Sequence, residues 1–165
     1  MANIHVAGPV IRGRREERSP FWPPKKFGFR SSTRARKIWV EGVYGAIVQA
    51  AKDLKMDAAL PHSEAQLEDA NPEWFFQTVQ ERISKSAVVV TVFTGGDVSA
   101  GVEAGMASML GRKQIIVTDD RKRLPRLLAG MPGVVGVIHG VDGRVVFEEV
   151  RSFLRETLES EGRAY

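Results

Sequence analysis

An unbroken run of apolar, mostly β-branched residues at 87–93 is the feature that most constrains the fold of this chain. The run reads Ala-Val-Val-Val-Thr-Val-Phe and has no regular alternation of apolar and polar residues. Strands of this kind are buried on both faces, as in parallel sheets that carry helices on either side. The run therefore predicts a central strand of a parallel sheet.

Strand-like and helix-like segments alternate along the rest of the chain. Further strands are predicted from short apolar runs at 4–7, 56–60, 114–118 and 134–138. Helices are predicted from amphipathic periodicity at 33–54, 72–85, 99–110, 121–129 and 147–159. This order predicts a single α/β domain over 1–165, built as a three-layer, doubly wound, five-stranded parallel sheet of the flavodoxin or Rossmann type.

This architecture makes two loops the candidate binding loops. Ligands bind open parallel sheets beyond the carboxyl ends of the strands, where the strand order reverses. The predicted loop 9–35 follows the first strand, and the loop 94–99 follows the third strand and contains Gly95-Gly96-Asp97. The first loop is unusually long for a compact domain, which is typical of lids and binding loops.

The positive charge of the chain is confined to one segment. The net charge is +4, but residues 12–37 hold ten Lys and Arg against two Glu, and the remainder has a net charge of −4. A uniformly basic nucleic-acid-binding domain is therefore excluded, and nucleic acid bound through 12–37 is the less favoured interpretation. Four aromatic residues of this segment can stack on a base, close over a site or pack against another subunit: Phe21, Trp22, Phe27 and Phe29.

Composition excludes several kinds of site. The chain has no cysteine, which excludes disulfides, thiolate zinc sites and cysteine nucleophiles. Its three histidines, His5, His62 and His139, lack the spacing of a metal site, so we predict no metal and no cofactor. The first residues do not resemble a signal peptide and no apolar run approaches ~20 residues. We therefore expect a cytoplasmic protein.

Residues 97–107 carry the strongest candidate for chemistry. Glu103 lies one turn into a predicted helix whose N-terminus faces the candidate site, and Gly101 and Gly105 leave room for a ligand or for backbone. Each glycine inside a helix costs about 1 kcal/mol relative to alanine, which calls for a reason. Two interpretations stand. Glu103 is a catalytic carboxylate, or it is an acid favoured by the helix dipole, on a helix whose small residues pack closely on the sheet.

The pattern Asp-x-x-x-Gly-x-Glu-x-Gly-x-Ala, after a strand and a loop, resembles the signature of the nucleoside 2-deoxyribosyltransferase family, which includes related nucleoside 5′-monophosphate N-hydrolases. The opening Ile-His-Val-Ala-Gly-Pro resembles the first strand and turn of that family, and Gly111-Arg-Lys-Gln-Ile-Ile-Val resembles its continuation. The resemblance implies cleavage of an N-glycosidic bond through a covalent glycosyl intermediate on Glu103, followed by transfer to another base or to water. It also implies a homo-oligomer.

The resemblance implies roles for further residues. Asp97 accepts hydrogen bonds from sugar hydroxyls and, being a carboxylate, disfavours a 5′-phosphate; the alternative is an aspartate that caps its own backbone. His5 stands where the family often has tyrosine, and it can hydrogen-bond the nucleophile or donate a proton. Arg12 argues the other way, because arginine binds phosphate well. The predicted substrate-binding residues are Gly8, Pro9, Arg12, Phe21, Trp22, Gly96, Ser99, Gly101 and Met106.

The chain departs from the family pattern at the acid that assists base departure. The family's Asn-Asp pair falls here on Thr78-Val79, which carries no acid. Candidate substitutes in the preceding turns are Asp69, Glu73 and Gln77. Besides the transferase and the hydrolase, this departure keeps open a catalytically degenerate protein that senses a nucleotide or binds nucleic acid.

Overall fold

The structure is a computed structural model that describes residues 3–9, 32–61, 71–95, 97–120, 124–140, 142–160 and 162. Its strands are Asn3–Ala7 (β1), Asp57–Ala59 (β2), Val88–Phe93 (β3), Lys113–Thr118 (β4) and Val134–His139 (β5). Its helices are Ser32–Asp53 (α1), Pro72–Lys85 (α2), Val98–Met109 (α3), Arg126–Ala129 (α4) and Gly143–Ser160 (α5). Within these ranges, none of the helices is both long enough and apolar enough to traverse a bilayer.

All strand pairs of the sheet are parallel, and the strand order is β2-β1-β3-β4-β5. This is the strand order of flavodoxin-like folds. The predicted five-stranded, doubly wound parallel sheet is therefore confirmed. As the apolar run predicted, β3 is central, because it pairs with β1 on one side and β4 on the other and all of its residues are buried.

The two faces of the sheet are covered by different helices. Helices α1 and α5 pack on one face, over the main apolar cluster that contains Ile4, Val6 and Val90. Helices α2, α3 and α4 cover the other face, where the clusters are smaller. Because side chains alternate along a strand, His5 and Ala7 point to this second face while their neighbours point to the first.

The helices on the second face have the ends that the sequence predicts. Asn71 caps α2 by accepting a hydrogen bond from the Glu73 backbone, with Pro72 in the first turn. Helix α3 ends in a Schellman motif, in which Arg112 N–H donates to Ala107 O and Gly111 N–H donates to Ser108 O. Gly111 has φ +65°, a backbone conformation that glycine adopts without strain.

Helices α1, α3 and α5 start earlier than predicted, α3 by one residue. Helix α1 begins at Ser32, so 32–35 are helical and the predicted loop 9–35 was too long at its end; no glycine or proline interrupts the chain from Thr33 to Glu41. Helix α5 begins at Gly143 rather than at 147, because Asp142 accepts a hydrogen bond from Arg144 N–H and starts the helix there. Residues 10–31 of the predicted loop lie outside the described residues.

Candidate active site

The strand order reverses between β1 and β3, and the candidate catalytic residues lie at this point. The chain proceeds outward from β1 to β2 on one side of it and from β3 to β4 and β5 on the other. Helix α3 leaves the carboxyl end of β3 and packs back over β3, β4 and β1. Its buried side therefore faces the strands at the position where such sheets bind ligands.

His5 and Glu103 meet in a buried contact at this point. The His5 Nε2 atom lies 2.7 Å from Oε2 of Glu103, joining positions 98 residues apart in the chain. His5 is fully buried, and the Glu103 side chain keeps 11% exposure. A hydrogen bond to a carboxylate at this distance is a strong one. It holds the Glu103 side chain, which keeps a small exposed fraction, in one orientation.

The hydrogen-bond partners around this contact indicate which ring nitrogen of His5 acts as a donor. A carboxylate accepts hydrogen bonds, so the imidazole nitrogen that faces Glu103 must be the donor. Within the described part of the chain, the other ring nitrogen, Nδ1 of His5, has no partner, and Oγ1 of the buried Thr91 has none either. An unpaired buried polar group costs about 1–3 kcal/mol. Polar groups are thus retained at this position against a stability cost.

Asp97 caps helix α3. Its Oδ1 accepts a hydrogen bond from Ala100 N–H at 3.2 Å, and its backbone is extended, as a cap residue requires. The capping interpretation of Asp97 is therefore correct. A carboxylate has two oxygens and several lone pairs, so capping through Oδ1 leaves acceptor capacity for a ligand at the half-buried Asp97 side chain.

Ser99 follows Asp97 in the first turn of α3 and is exposed. It lies four residues before Glu103, and residues with this spacing share one face of a helix. The first turns of α3 therefore carry three polar side chains between the open edge of the sheet and the buried His5: Asp97, Ser99 and Glu103.

Gly8 and Pro9 form a tightly packed turn after β1. The Tyr44 hydroxyl of helix α1 donates to the Pro9 carbonyl at 2.8 Å. A Cβ atom added to the buried Gly8 would lie 2.5 Å from the Tyr44 hydroxyl oxygen and 3.1 Å from Cβ of Val92. Glycine is thus required by the contact between β3, α1 and this turn. Sequence reasoning did not identify Tyr44, since nothing in the periodicity of α1 indicates a bond across the sheet edge.

The glycines of α3 do not pack on the sheet, which was one of the two explanations that the sequence left open for them. A Cβ atom added to Gly101 or Gly105 would meet no described atom within 4 Å, so close packing on the sheet does not require either glycine. The buried alanines Ala100, Ala104 and Ala107 face the sheet instead. Gly101 lies two residues from Glu103, and residues with that spacing do not face each other on a helix. The predicted substrate contact of Gly101 stays a prediction.

Other predicted residues are dispersed. Met106 packs against the apolar cluster that contains Ala7 and Val79. Val79 is buried, and the Thr78 hydroxyl donates to the Trp74 carbonyl, so this register of α2 supplies no acid. The substitute candidates Glu73 and Gln77 lie on exposed positions of α2. Several predicted residues lie outside the described part of the chain: Arg12, Phe21, Trp22, His62, Asp69 and Gly96.

His139 lies at the carboxyl end of β5, two strands away from β3. Its Nε2 atom is 3.0 Å from the Asp119 backbone carbonyl, to which a protonated Nε2 donates. In the described ranges, no three His, Asp or Glu side chains are grouped as metal ligands. His139 is thus tied to the β4–β5 edge and takes no part in the His5–Glu103 contact.

The fold places the protein among flavodoxin-like α/β domains, with its polar contact at the switch point. Two solved structures of enzymes share this fold. One is a 2-deoxyribosyltransferase from Bacillus psychrosaccharolyticus, with 17% identity, a TM-score of 0.57 and coverage of 88% of this chain and 90% of that chain. The other is the CMP N-glycosidase BcmB of Clostridium botulinum, with 10% identity, a TM-score of 0.56 and coverage of 92% of this chain and 98% of that chain.

The two neighbours match the family that the sequence motif resembles and its related nucleotide hydrolases. No protein-family model matches the sequence, and a comparison with curated proteins finds no match. The likeness therefore lies in the fold, which both neighbours share over nearly their whole length.

Proposed function

We propose that this protein is an enzyme that cleaves the N-glycosidic bond of a nucleoside, with Glu103 as the nucleophile. The observation that carries the proposal is the 2.7 Å contact between Glu103 and the buried His5 at the switch point of the sheet. A nucleophilic carboxylate must be deprotonated and held in one position against the anomeric carbon. A buried hydrogen-bond donor on one of its oxygens holds the carboxylate in position.

The proposed reaction consists of two successive displacements at C1′ of the sugar. In the first, an oxygen of Glu103 attacks C1′ of the sugar, the C1′–N bond breaks, and its electron pair leaves with the base. The product is a glycosyl ester of Glu103. In the second step a new base or a water molecule attacks C1′, the proton that it loses passes to the departed base, and the ester oxygen leaves as the carboxylate. Nε2–H of His5 stabilises the negative charge that returns to Glu103.

Product analysis tests the proposal. Deoxynucleosides are incubated with the protein, with and without an acceptor base, and 5′-monophosphates are tested in parallel. Free base in the absence of acceptor identifies a hydrolase, and exchange that needs an acceptor identifies a transferase. Absence of turnover on all of these substrates, together with salt-sensitive binding of nucleic acid, would contradict the proposal. It would favour a catalytically degenerate protein that binds nucleic acid.

We further propose that the substrate has a free 5′-hydroxyl group. A helix N-terminus attracts phosphate through its free N–H groups, but Asp97 already occupies Ala100 N–H and brings its own negative charge. A phosphate at the same place would be repelled. The CMP N-glycosidase neighbour and Arg12 are the observations that favour a 5′-monophosphate instead.

Replacing Asp97 tests this choice of substrate. Asp97→Ser keeps a capping oxygen but removes the charge, so we expect the ratio of kcat/KM for a 5′-monophosphate to kcat/KM for the nucleoside to rise by about tenfold or more, the effect of ~1.4 kcal/mol of charge repulsion. Asp97→Asn also removes the charge, but it retains the shape and the cap. It should therefore shift the ratio in the same direction. An unchanged ratio in both variants would contradict the role of the Asp97 charge.

We also propose that the protein acts as a homo-oligomer. Helix α3 presents an outward stripe of apolar side chains, Val98, Val102 and Met109, which are 77%, 50% and 91% exposed. They recur at helical spacing, and the whole of α3 carries no charged residue besides the inward-facing Glu103. Apolar patches of this kind are typical of subunit contacts. The molar mass in solution, measured by light scattering, tests this proposal.

A further inference from the structure

Two buried polar atoms beside the His5–Glu103 contact lack partners among the residues that the structure describes: Nδ1 of His5 and Oγ1 of Thr91. Both residues are 0% exposed. Buried polar atoms are nearly always paired, either directly or through an ordered water. Thr91 is also the single polar residue of β3, a strand in which every residue is buried. Its hydroxyl therefore calls for an explanation other than packing.

The register of the sheet places these two side chains close together on one face. His5 pairs with Val89, and Ala7 pairs with Thr91. Side chains two apart on a strand point to the same face, so Thr91 and His5 are diagonal neighbours on adjacent strands beneath α3. Diagonal positions on adjacent strands lie about 7–8 Å apart, so side chains of this size end near each other. The two atoms make no direct hydrogen bond, and this spacing suits one bridging molecule.

We propose that one internal water joins Oγ1 of Thr91 to Nδ1 of His5, and that Thr91 is thereby a positioning residue of the site. The Thr91 hydroxyl donates to the water, and the water donates to Nδ1. Nδ1 is then the unprotonated ring nitrogen, so the ring proton lies on Nε2 and is donated to Glu103. This series of hydrogen bonds from Thr91 to Glu103 gives both unpaired atoms a partner, and no proton is transferred.

The arrangement matters because the opposite tautomer fails at Glu103. With the proton on Nδ1, an unprotonated Nε2 would face a carboxylate oxygen at 2.7 Å, and two acceptors would oppose each other. The Glu103 carboxylate thus selects this tautomer, and the Thr91 hydroxyl, donating through its water to Nδ1, reinforces it. The effect on turnover rests on the proposed function, whereas the tautomer itself can be measured without any substrate.

The test is ¹⁵N NMR of the full-length protein with labelled histidine, at neutral pH. The chain has three histidines, and the His62→Gln and His139→Gln variants leave the His5 signals to be identified. The ¹⁵N shifts of the two ring nitrogens report which one carries the proton. We expect wild-type His5 to be protonated on Nε2 alone.

Three threonine variants complete the test. Thr91→Val keeps the shape and removes the hydroxyl, so the ¹⁵N shift of His5 Nδ1 should change while Nε2 stays protonated toward Glu103. Thr91→Ser retains the hydroxyl and should restore both wild-type signals. Thr118→Val is the matched control, because Thr118 is an equally buried strand threonine on the same face whose hydroxyl contacts Asp120 instead. It should leave the His5 signals unchanged.

Kinetics give a second readout. Thr91 is buried beneath the site, so Thr91→Val should lower kcat by about three- to tenfold, the effect of one hydrogen bond, and leave KM unchanged. A His5 ring protonated on Nδ1 or on both nitrogens, or Nδ1 signals unaffected by Thr91→Val, overturns the inference whatever the activity. A wild-type protein that turns over no nucleoside yet shows the expected signals would instead overturn the proposed function alone.

Discussion

Replacing Glu103 by glutamine is expected to lower kcat/KM for base release by at least about a thousandfold, which corresponds to ~4 kcal/mol of transition-state stabilisation. The amide oxygen of glutamine can still accept the hydrogen bond from Nε2 of His5, so the fold around the contact should persist. What is lost is the negative charge that attacks C1′. The decay of nucleoside and the release of base, followed by chromatography, measure the effect.

The matched control for this substitution is Glu148→Gln. Glu148 is an exposed acid on α5, which covers the opposite face of the sheet. The change removes the same charge and should leave kcat/KM at the wild-type value. Equal unfolding temperatures of both variants and the wild type would exclude misfolding as the cause of lost activity. Turnover by Glu103→Gln at the wild-type rate would refute the nucleophile.

Covalent chemistry at Glu103 has a direct signature. A substrate analogue whose second step is slow should leave the sugar attached, and mass spectrometry of a digest should find the added mass on the peptide that contains Glu103. No added mass should appear with Glu103→Gln. A modified peptide from another part of the chain would assign the nucleophile elsewhere while preserving the two-step reaction.

Replacing Gly8 by alanine is expected to cost about 1–3 kcal/mol of unfolding free energy, the usual effect of forcing a group into a filled site. The new Cβ would lie 2.5 Å from the Tyr44 hydroxyl oxygen and 3.2 Å from the Val92 carbonyl oxygen. Relief requires Tyr44 to leave the Pro9 carbonyl that it now bonds. The turn that follows His5 would then shift, so turnover should fall along with stability. Chemical denaturation and the nucleoside assay measure the two effects.

Gly105→Ala is the contrasting substitution. An added Cβ meets no described atom within 4 Å at Gly105, which lies inside α3. Alanine is the better helix former by about 1 kcal/mol, so the variant should be more stable than the wild type by ~0.5–1 kcal/mol. Loss of stability in Gly105→Ala would mean that something packs on this face, such as a second copy of the chain. Neutral behaviour of Gly8→Ala would contradict the packing of the turn.

The order and type of the elements follow from the sequence because the signals are local and strong. The β-branched run of β3 has no helical alternative, and Asn71-Pro72 fixes the start of α2 through backbone chemistry that operates within one turn. Burial of β3 on both faces then requires helices on each side of a parallel sheet. The sequence leaves open only between which two strands the order reverses. In any such sheet, ligands bind at that point, beyond the carboxyl ends of the strands.

The site was predictable in part for a related reason. Glu103 stands out in the sequence because it is the single charge in α3, and its motif resembles a known catalytic signature. The contact with His5 depends on the pairing of β1 with β3, which no local pattern encodes. The same is true of the Tyr44 bond to Pro9. Such contacts are set by the register of the sheet and by helix packing, so they emerge only from the structure.

The two interpretations of the small residues in α3 were separated by geometry rather than by composition. Ala100 and Ala104 turn toward the sheet, while Gly101 turns away from it. The sequence shows that all three are small, but the rotation of the helix about its axis is fixed by long-range packing. Which of them approach the sheet therefore could not be assigned from the sequence.

The insertion of β1 between β2 and β3 means that the His5–Glu103 contact depends on the docking of two parts of the chain. His5 belongs to the first βαβ unit, and Glu103 belongs to the segment that begins beyond residue 71. Neither part alone contains the pair. Expressed as two separate polypeptides divided between β2 and α2, the halves would be inert singly, and recovered turnover on mixing would report their reassembly. The His5–Glu103 contact thus forms only when both parts of the sheet are in place.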